Sequence, residues 1–554
     1  MVRISAHRWL LLACCAVLAL PVGSVLGSWL VTDAAALAVL AHQAQTVLPG
    51  YAMQSLGLAL GVGVGVVLVG AGAAVAVTLF DFRGRRFFEW AMLLPLAMPA
   101  YVLAYAWTDA LQYASPLQMA LRDATGATGA LWPDIRSLPG AVVLFVLCLY
   151  PYVYLLTRTA LGERGVQMME AARLLGAGLK RRILEVAVPL ARPAVAAGTA
   201  LALMETLADY GVGAYFGLTT FSTGIYKAWL VMNDRTAAAQ LASLLLAVVA
   251  LLLLAERRAQ RKMRYAASRG AAAGAARGEA PREARPVRLH GAAQAVAQAL
   301  CGLPVLLGFV LPVGWLVWMA VVQADNPEDG LPLARFAGWA WSSFRLAALA
   351  AVLATLLALA LAFVMRTADR GASGLGSGRL LNGAARVLAL GYAVPGAVVA
   401  IGVLLPLGWL QQQAPQLAPT VLVTGTVFGV MYAYLVRFSA VALQSVEAGY
   451  ARVPLAIDES ARLLGGTPRR LLLELHLPLL RRSALAAGLL VFVDVMKELP
   501  ATLVLRPFGS DTLAVVAYNF ARDERLGEAA LPSLAIVAVG LIPVLLLTRA
   551  MRSA

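Results

Sequence analysis

Apolar runs of about twenty residues recur from one end of this chain to the other, and they decide what it can fold into. A helix needs about 20 residues to cross a hydrocarbon core of roughly 30 Å. Twelve such runs lie near 9–30, 53–80, 88–109, 139–160, 193–217, 237–255, 296–322, 340–365, 386–409, 419–442, 483–505 and 529–548. Helices buried in soluble proteins rarely run this long without a charge, and only 13% of the 554 residues are charged while 61% are hydrophobic. The expectation is an all-α polytopic membrane protein with about twelve transmembrane helices.

A net charge of +16 suggests nucleic acid until its distribution is read. With the N-terminus placed in the cytoplasm, 35 of the 45 Lys and Arg fall on that side, and Lys497 lies inside a span. That bias is the positive-inside pattern. The charge therefore sets topology and meets anionic lipid, with no nucleic acid among the partners and both termini cytoplasmic. The run after Arg3 and Arg8 has the flanks of a signal peptide, but it is long and eleven more follow, so it reads as a retained first span. Cys14, Cys15, Cys148 and Cys301 all fall in predicted spans and read as apolar packing. Gly61, Gly63 and Gly65 form no dinucleotide fingerprint, since Leu68 stands where a third glycine belongs; they read as small residues at a close helix contact.

The chain repeats itself. Glu170-Ala171-Ala172-Arg173-Leu174-Leu175-Gly176 returns 289 residues later as Glu459-Ser460-Ala461-Arg462-Leu463-Leu464-Gly465, and Pro189 and Arg192 return as Pro478 and Arg481 at the same step. Six spans precede and six follow a basic Ala/Gly-rich stretch that lacks large aliphatics. The expected organisation is a first half over 1–255, a flexible cytoplasmic linker over 256–295 and a second half over 296–554, the halves being parallel repeats about an axis normal to the membrane.

Each repeated motif, at 170–193 and 459–482, is expected to form a cytoplasmic helix, a turn and a second helix. Gly176 and Gly465 suit the left-handed residue that ends a helix, Thr467 can cap the next one, and Pro468 fits its first turn. Pro189 and Pro478 are expected to break the hairpin before the following span. These residues resemble the EAA loop of bacterial ABC importer permeases, and Ser460 for Ala is the one departure in Glu-Ala-Ala. The resemblance implies the type I importer fold in the inner membrane. It also implies that Glu170, Ala171, Ala172 and Gly176, with Glu459, Ser460, Ala461 and Gly465, form coupling helices for an ABC ATPase subunit present as two copies, and that a periplasmic substrate-binding protein delivers the cargo. None of the four lysines follows a glycine, so no phosphate-holding Walker A loop is present; the chain is expected to bind no cofactor and to be no enzyme, ATP being used by the partner.

Span five of each half carries two acids four residues apart, Glu205 and Asp209 in the first and Asp494 and Glu498 in the second, again 289 residues apart. On a continuous helix that spacing puts both acids on one face. Carboxylates inside a membrane mark a pathway by default, and Lys497 beside them offers a counter-charge. Residues 203–226 and 496–514, with Gly391-Tyr392-Ala393-Val394-Pro395-Gly396, resemble the fused ferric iron permeases. The resemblance implies ferric iron as cargo. Glu205, Asp209, Asp494 and Glu498 would then be transient hard-oxygen ligands, and Tyr210 and Lys497 would line the path. Few aromatic residues flank the acids within these two helices, which favours a metal over an organic cation. The alternatives are the same machine importing thiamine, a polyamine or 2-aminoethylphosphonate, or a proton-coupled secondary transporter using the acids as a relay.

Overall fold

The computed structural model describes residues 6–31, 34–162, 166–275, 286–326, 330–368, 383–384, 388 and 391–553. Among the described residues the regular structure is helical, apart from two two-residue strands, Phe80–Asp81 and Val287–Arg288, which pair in parallel. Among the described residues ten helices are long and apolar enough to cross a membrane, against twelve expected. The expected span at 88–109 is two helical stretches, Arg85–Ala97 and Ala100–Thr125, that meet at 92°. Pro99 sits at the corner and Met98 before it is extended, as the steric demands of a proline require. The expected span at 483–505 falls on helix Leu477–Met496, which carries Arg481, Arg482 and Asp494 and is not among the ten.

The chain divides into two compact units that do not follow the halves of the sequence. One unit combines 1–42 and 225–246 with 332–516; the other combines 43–224 with 247–331 and 517–554. In the first unit, helix Ala6–Gly27 lies against Gly396–Gln413: Ser24 Oγ donates to Gly402 O at 2.6 Å, and a Cβ on Gly402 would sit 2.2 Å from Pro21 O. In the second, Leu526–Ser553 lies against the corner, where a Cβ on Gly540 would sit 2.3 Å from Ala97 O. Trp315 Nε1 donates to Asp109 Oδ2 at 2.9 Å in the same unit. Each unit thus draws an outer helix from across the linker. Such an exchange of equivalent elements leaves no trace in a repeat pattern, because either partner presents the same kind of apolar face.

The glycine ridge behaves as its spacing predicts. Cβ atoms on Gly61 and Gly65 would sit 2.8 Å from Val142 and 2.3 Å from Val146 side-chain carbons, so helix Leu48–Val66 packs directly on Leu138–Ala160. Cys15, Cys148 and Cys301 are buried and Cys14 is half-buried, and none of the four is in a disulfide.

The linker differs from its expected form. Helix Arg235–Ala275 runs on through 256–275, and beyond the undescribed residues 276–285 the chain resumes with Val287–Arg288 paired to Phe80–Asp81, then helix Gly291–Val305. The composition was read for its inability to bury a core, but alanine forms helix without one.

Candidate functional site

The two motif segments fold alike. Helix Val166–Leu174 ends where Gly176 takes φ 80°, and helix Leu455–Leu463 ends where Gly465 takes φ 79°. Gly176 N donates to Arg173 O and Ala177 N to Ala172 O, both at 3.0 Å; Gly465 N donates to Arg462 O and Gly466 N to Ala461 O, at 3.0 and 2.9 Å. This paired ending satisfies the last carbonyls and requires a left-handed residue, which glycine adopts without a Cβ clash. Thr467 accepts from Arg470 N and Pro468 opens the next helix, as expected. Pro189 and Pro478, however, do not break the hairpin from the span. Each sits at the second position of its span helix, and the turn before it widens to π form at Ile183–Ala187 and Leu471–His476. A proline ring collides with the carbonyl four residues back, and a widened turn relieves the collision without ending the helix.

Glu170, Ala171, Glu459 and Ser460 are exposed, and Ala172 and Ala461 are half-buried. The sequence reading overlooked the leucines beside them: Leu174, Leu175, Leu463 and Leu464 are 86–89% exposed. An apolar pair held in solvent at the same place in both hairpins marks a surface meant to be covered. Its signal was legible, since a Leu-Leu pair next to a helix-ending glycine lies where the helix leaves its seat.

Beneath the hairpins the two copies part company. In the first, Leu161, Met169 and Ala187 are buried together with Leu79 and Ala191 in an apolar cluster. Stepping 289 residues on, the same three positions are Tyr450, Asp458 and His476. Arg366 Nε and Nη2 donate to the two oxygens of Asp458 at 2.7 and 3.2 Å. Its nitrogens also reach the carbonyls of Tyr450, Val453 and Pro454 at 2.9–3.2 Å. His476 lies 3.0 Å from Asp458 Oδ1 through Nε2 and 3.1 Å from the Tyr450 hydroxyl through Nδ1. One tautomer satisfies every atom: Nε2–H donates to Asp458 while Nδ1 accepts from Tyr450. Side chains of Asp458 and His476 are 1% and 0% exposed. Burial works to raise the Asp458 carboxyl, but the hydrogen bonds from Arg366 and His476 outweigh it and hold the group below the usual carboxylate range.

The paired acids do not share helix faces as their spacing suggested, because both spans break there. Helix Val188–Ala208 stops before Asp209, whose backbone is extended, and Leu477–Met496 stops before Lys497. Asp209 Oδ1 accepts from Val212 N at 2.8 Å and so caps the short helix Gly211–Tyr215. Glu498 does the same for Pro500–Leu505, accepting from Ala501 N and Thr502 N at 2.9 Å each. Glu498 is further tied to Arg437 at 3.1 Å, which the sequence reading missed; 289 residues earlier stands Cys148, so Asp209 has no such partner there. Lys497 pairs with Asp494 at 2.9 Å. Glu205 is half-buried and lies near enough to Asp209 to interact electrostatically. Glu205 and Asp209 belong to one unit and Asp494, Lys497 and Glu498 to the other. Among the described residues no three His, Cys, Asp or Glu side chains gather to hold a metal ion. Helices outside the two that carry the acids contribute further aromatic rings. Tyr518 OH donates to Tyr210 OH at 3.3 Å, and the Tyr105 and Tyr215 rings pack 5.0 Å apart in the same unit.

Residues 66–265 match the family described as the binding-protein-dependent transport system inner membrane component. The Fe(3+)-transport system permease protein FbpB 2 of Haemophilus influenzae is 24% identical over 474 residues, which covers 85% of this chain and 84% of that protein. The putative 2-aminoethylphosphonate transport system permease protein PhnV of Salmonella typhimurium is 29% identical over 29% of this chain and 58% of its own length. The molybdenum transport system permease protein ModB of Escherichia coli is 29% identical over 31% of this chain and 76% of its own length. The family match contains the first copy of the repeated motif whole. Residues 66–265 thus carry a domain similar to the binding-protein-dependent transport system inner membrane component, within a chain that is all-α and crosses the membrane several times.

Proposed function

We propose that the permease carries ferric iron inward, that a periplasmic binding protein delivers it, and that a separate ABC ATPase, acting as a pair, drives it from the cytoplasmic side. The observation that carries this reading is the pair of matching hairpins. They are two helices with identical endings and exposed leucines, each joined to a span by a single widened turn. A helix joined so tightly to a span can pass a rigid-body push into the membrane. Both termini then face the cytoplasm, and ATP is bound by the partner alone. Ferric iron is supported by the long match to a ferric permease. Glu205 and Asp494, whose oxygens do not cap a helix, are the acids best placed to meet the passing cation.

A second reading has its own support. The Tyr210–Tyr518 pair beside Asp209 offers a surface for the ammonium end of an organic substrate, and a putative 2-aminoethylphosphonate permease is among the relatives. Radio-iron uptake by cells expressing the chain with its neighbouring binding protein and ATPase separates the two. Uptake that needs all three components, and that falls when Glu205→Gln and Asp494→Asn are combined, supports iron. No iron uptake by the intact system moves the assignment to an organic substrate. Glu170→Lys with Glu459→Lys is expected to abolish uptake and weaken ATPase co-purification while leaving membrane insertion intact. Normal uptake in that pair removes the coupling role.

A further inference from the structure

The difference between the two hairpin seats bears on how force crosses them. We propose that Arg366, Tyr450, Asp458 and His476 are positioning residues that lock the second coupling helix to the transmembrane helices as a rigid lever. The first helix, on its apolar seat, is free to rock, so the two hairpins transmit the ATPase stroke unequally. The proposal rests on the coupling role argued above.

Two observations carry it. Apolar contacts have no preferred direction, so a helix resting on Leu79, Leu161, Met169, Ala187 and Ala191 can shift its angle and keep most of its burial. Hydrogen bonds weaken steeply away from alignment. Asp458 on the second helix is gripped from two sides, by Arg366 at the end of helix Leu333–Ala368 and by His476 at the end of the π turn that enters the next span. Arg366 also holds the carbonyls of Tyr450, Val453 and Pro454, which close helix Val427–Tyr450 and lead into the coupling helix. Arg366 and His476 thus meet on one carboxylate, and helix Val427–Tyr450 is tied to both of them through the Tyr450 carbonyl and hydroxyl. Tilting the second hairpin stretches several charge-assisted bonds in a buried place, where losing one partner leaves the other unsatisfied.

The first half supplies the control, because it shows that this fold accepts an apolar seat. Four changes, Arg366→Leu, Tyr450→Leu, Asp458→Met and His476→Ala, transplant that seat into the second half. The complete transporter, reconstituted in proteoliposomes with ATPase and binding protein, is expected to insert and to co-purify its ATPase at the wild-type level. Its uptake per ATP hydrolysed should fall severalfold. Asp458→Asn alone should cut uptake about tenfold or more, since it leaves Arg366 buried without its counter-charge. His476→Gln, whose amide can still donate to Asp458, should retain more uptake than His476→Ala. Met169→Ala in the first seat should lower uptake per ATP less than twofold. Wild-type uptake per ATP in the transplant, or equal losses from Asp458→Asn and Met169→Ala, would overturn the proposal. Loss of ATPase from the transplant also counts against it, because the seat would then serve docking. Failure of the unmodified chain to co-purify its ATPase refutes the coupling role itself.

Discussion

The two repeated hairpins share their backbone and differ in what holds them. Both end in the same paired hydrogen bonds around a left-handed glycine, both enter their span through a π turn, and both hold two leucines in solvent. Underneath, one rests on aliphatic side chains and the other on an arginine–aspartate–histidine–tyrosine network. Duplication explains the first set of features, because turn geometry follows from residues a few positions apart that both copies keep. The seats are internal, and each copy was free to find its own solution provided the helix stayed in place. A polar seat is a costly choice: replacing a buried ion pair by well-packed apolar groups is often neutral or stabilising, so the network is better read as fixing orientation than as adding stability.

The largest expected effect tests that contrast on the stability side. Arg366→Met leaves Asp458 buried without its cation and should destabilise the chain by about 3–5 kcal/mol, read as a drop in thermal unfolding temperature in detergent. Met169→Ala, the matching insult to the apolar seat, opens a void and should cost about 2–3 kcal/mol. Equal costs would erase the distinction between the seats. A pH scan sharpens it further. The Asp458 carboxyl is held below its usual range in the folded chain, so its contribution is present above the unfolded value of about 3.9 and is lost as pH falls through the lower folded value. The wild-type chain should lose stability on acidification in that window, and the chain with the transplanted apolar seat should lose less.

Two smaller effects test the likeness instead. Gly176→Ala and Gly465→Ala should each cost about 1–2 kcal/mol, and equally, because each forces a Cβ into the left-handed region. Arg181→Ala and Arg470→Ala remove matching pairs to Glu185 and Glu474, at 2.7 and 2.6 Å, and should change the unfolding temperature immeasurably, since both pairs are solvent-exposed.

The broken spans show why part of the site escaped sequence reading. Acids four residues apart suggest a shared helix face only if the helix continues, and nothing in Glu205-Thr206-Leu207-Ala208-Asp209 forbids that. The break exists because Asp209 and Glu498 have a better use as caps for the short helices that follow, which is visible only once those helices have a direction. Pro500 after Glu498-Leu499 was the available hint, since a residue before proline tends to leave the helix. Arg437 as partner of Glu498 lay 61 residues away, beyond any local spacing rule.

By itself the sequence determined what short-range physics fixes. The length and apolarity of the runs made the chain a helical membrane protein, the basic bias gave it an expected topology, the 289-residue repeat made it double, and glycine chemistry placed the hairpin endings. The tertiary structure alone decided which helices pack together, drawing each compact unit from both sides of the linker. It also decided that one hairpin rests on hydrocarbon and the other on charge. The reason is the same in both cases. An apolar face is complementary to any other apolar face, and a buried charge is complementary only to the partner that the fold brings within about 3 Å of it.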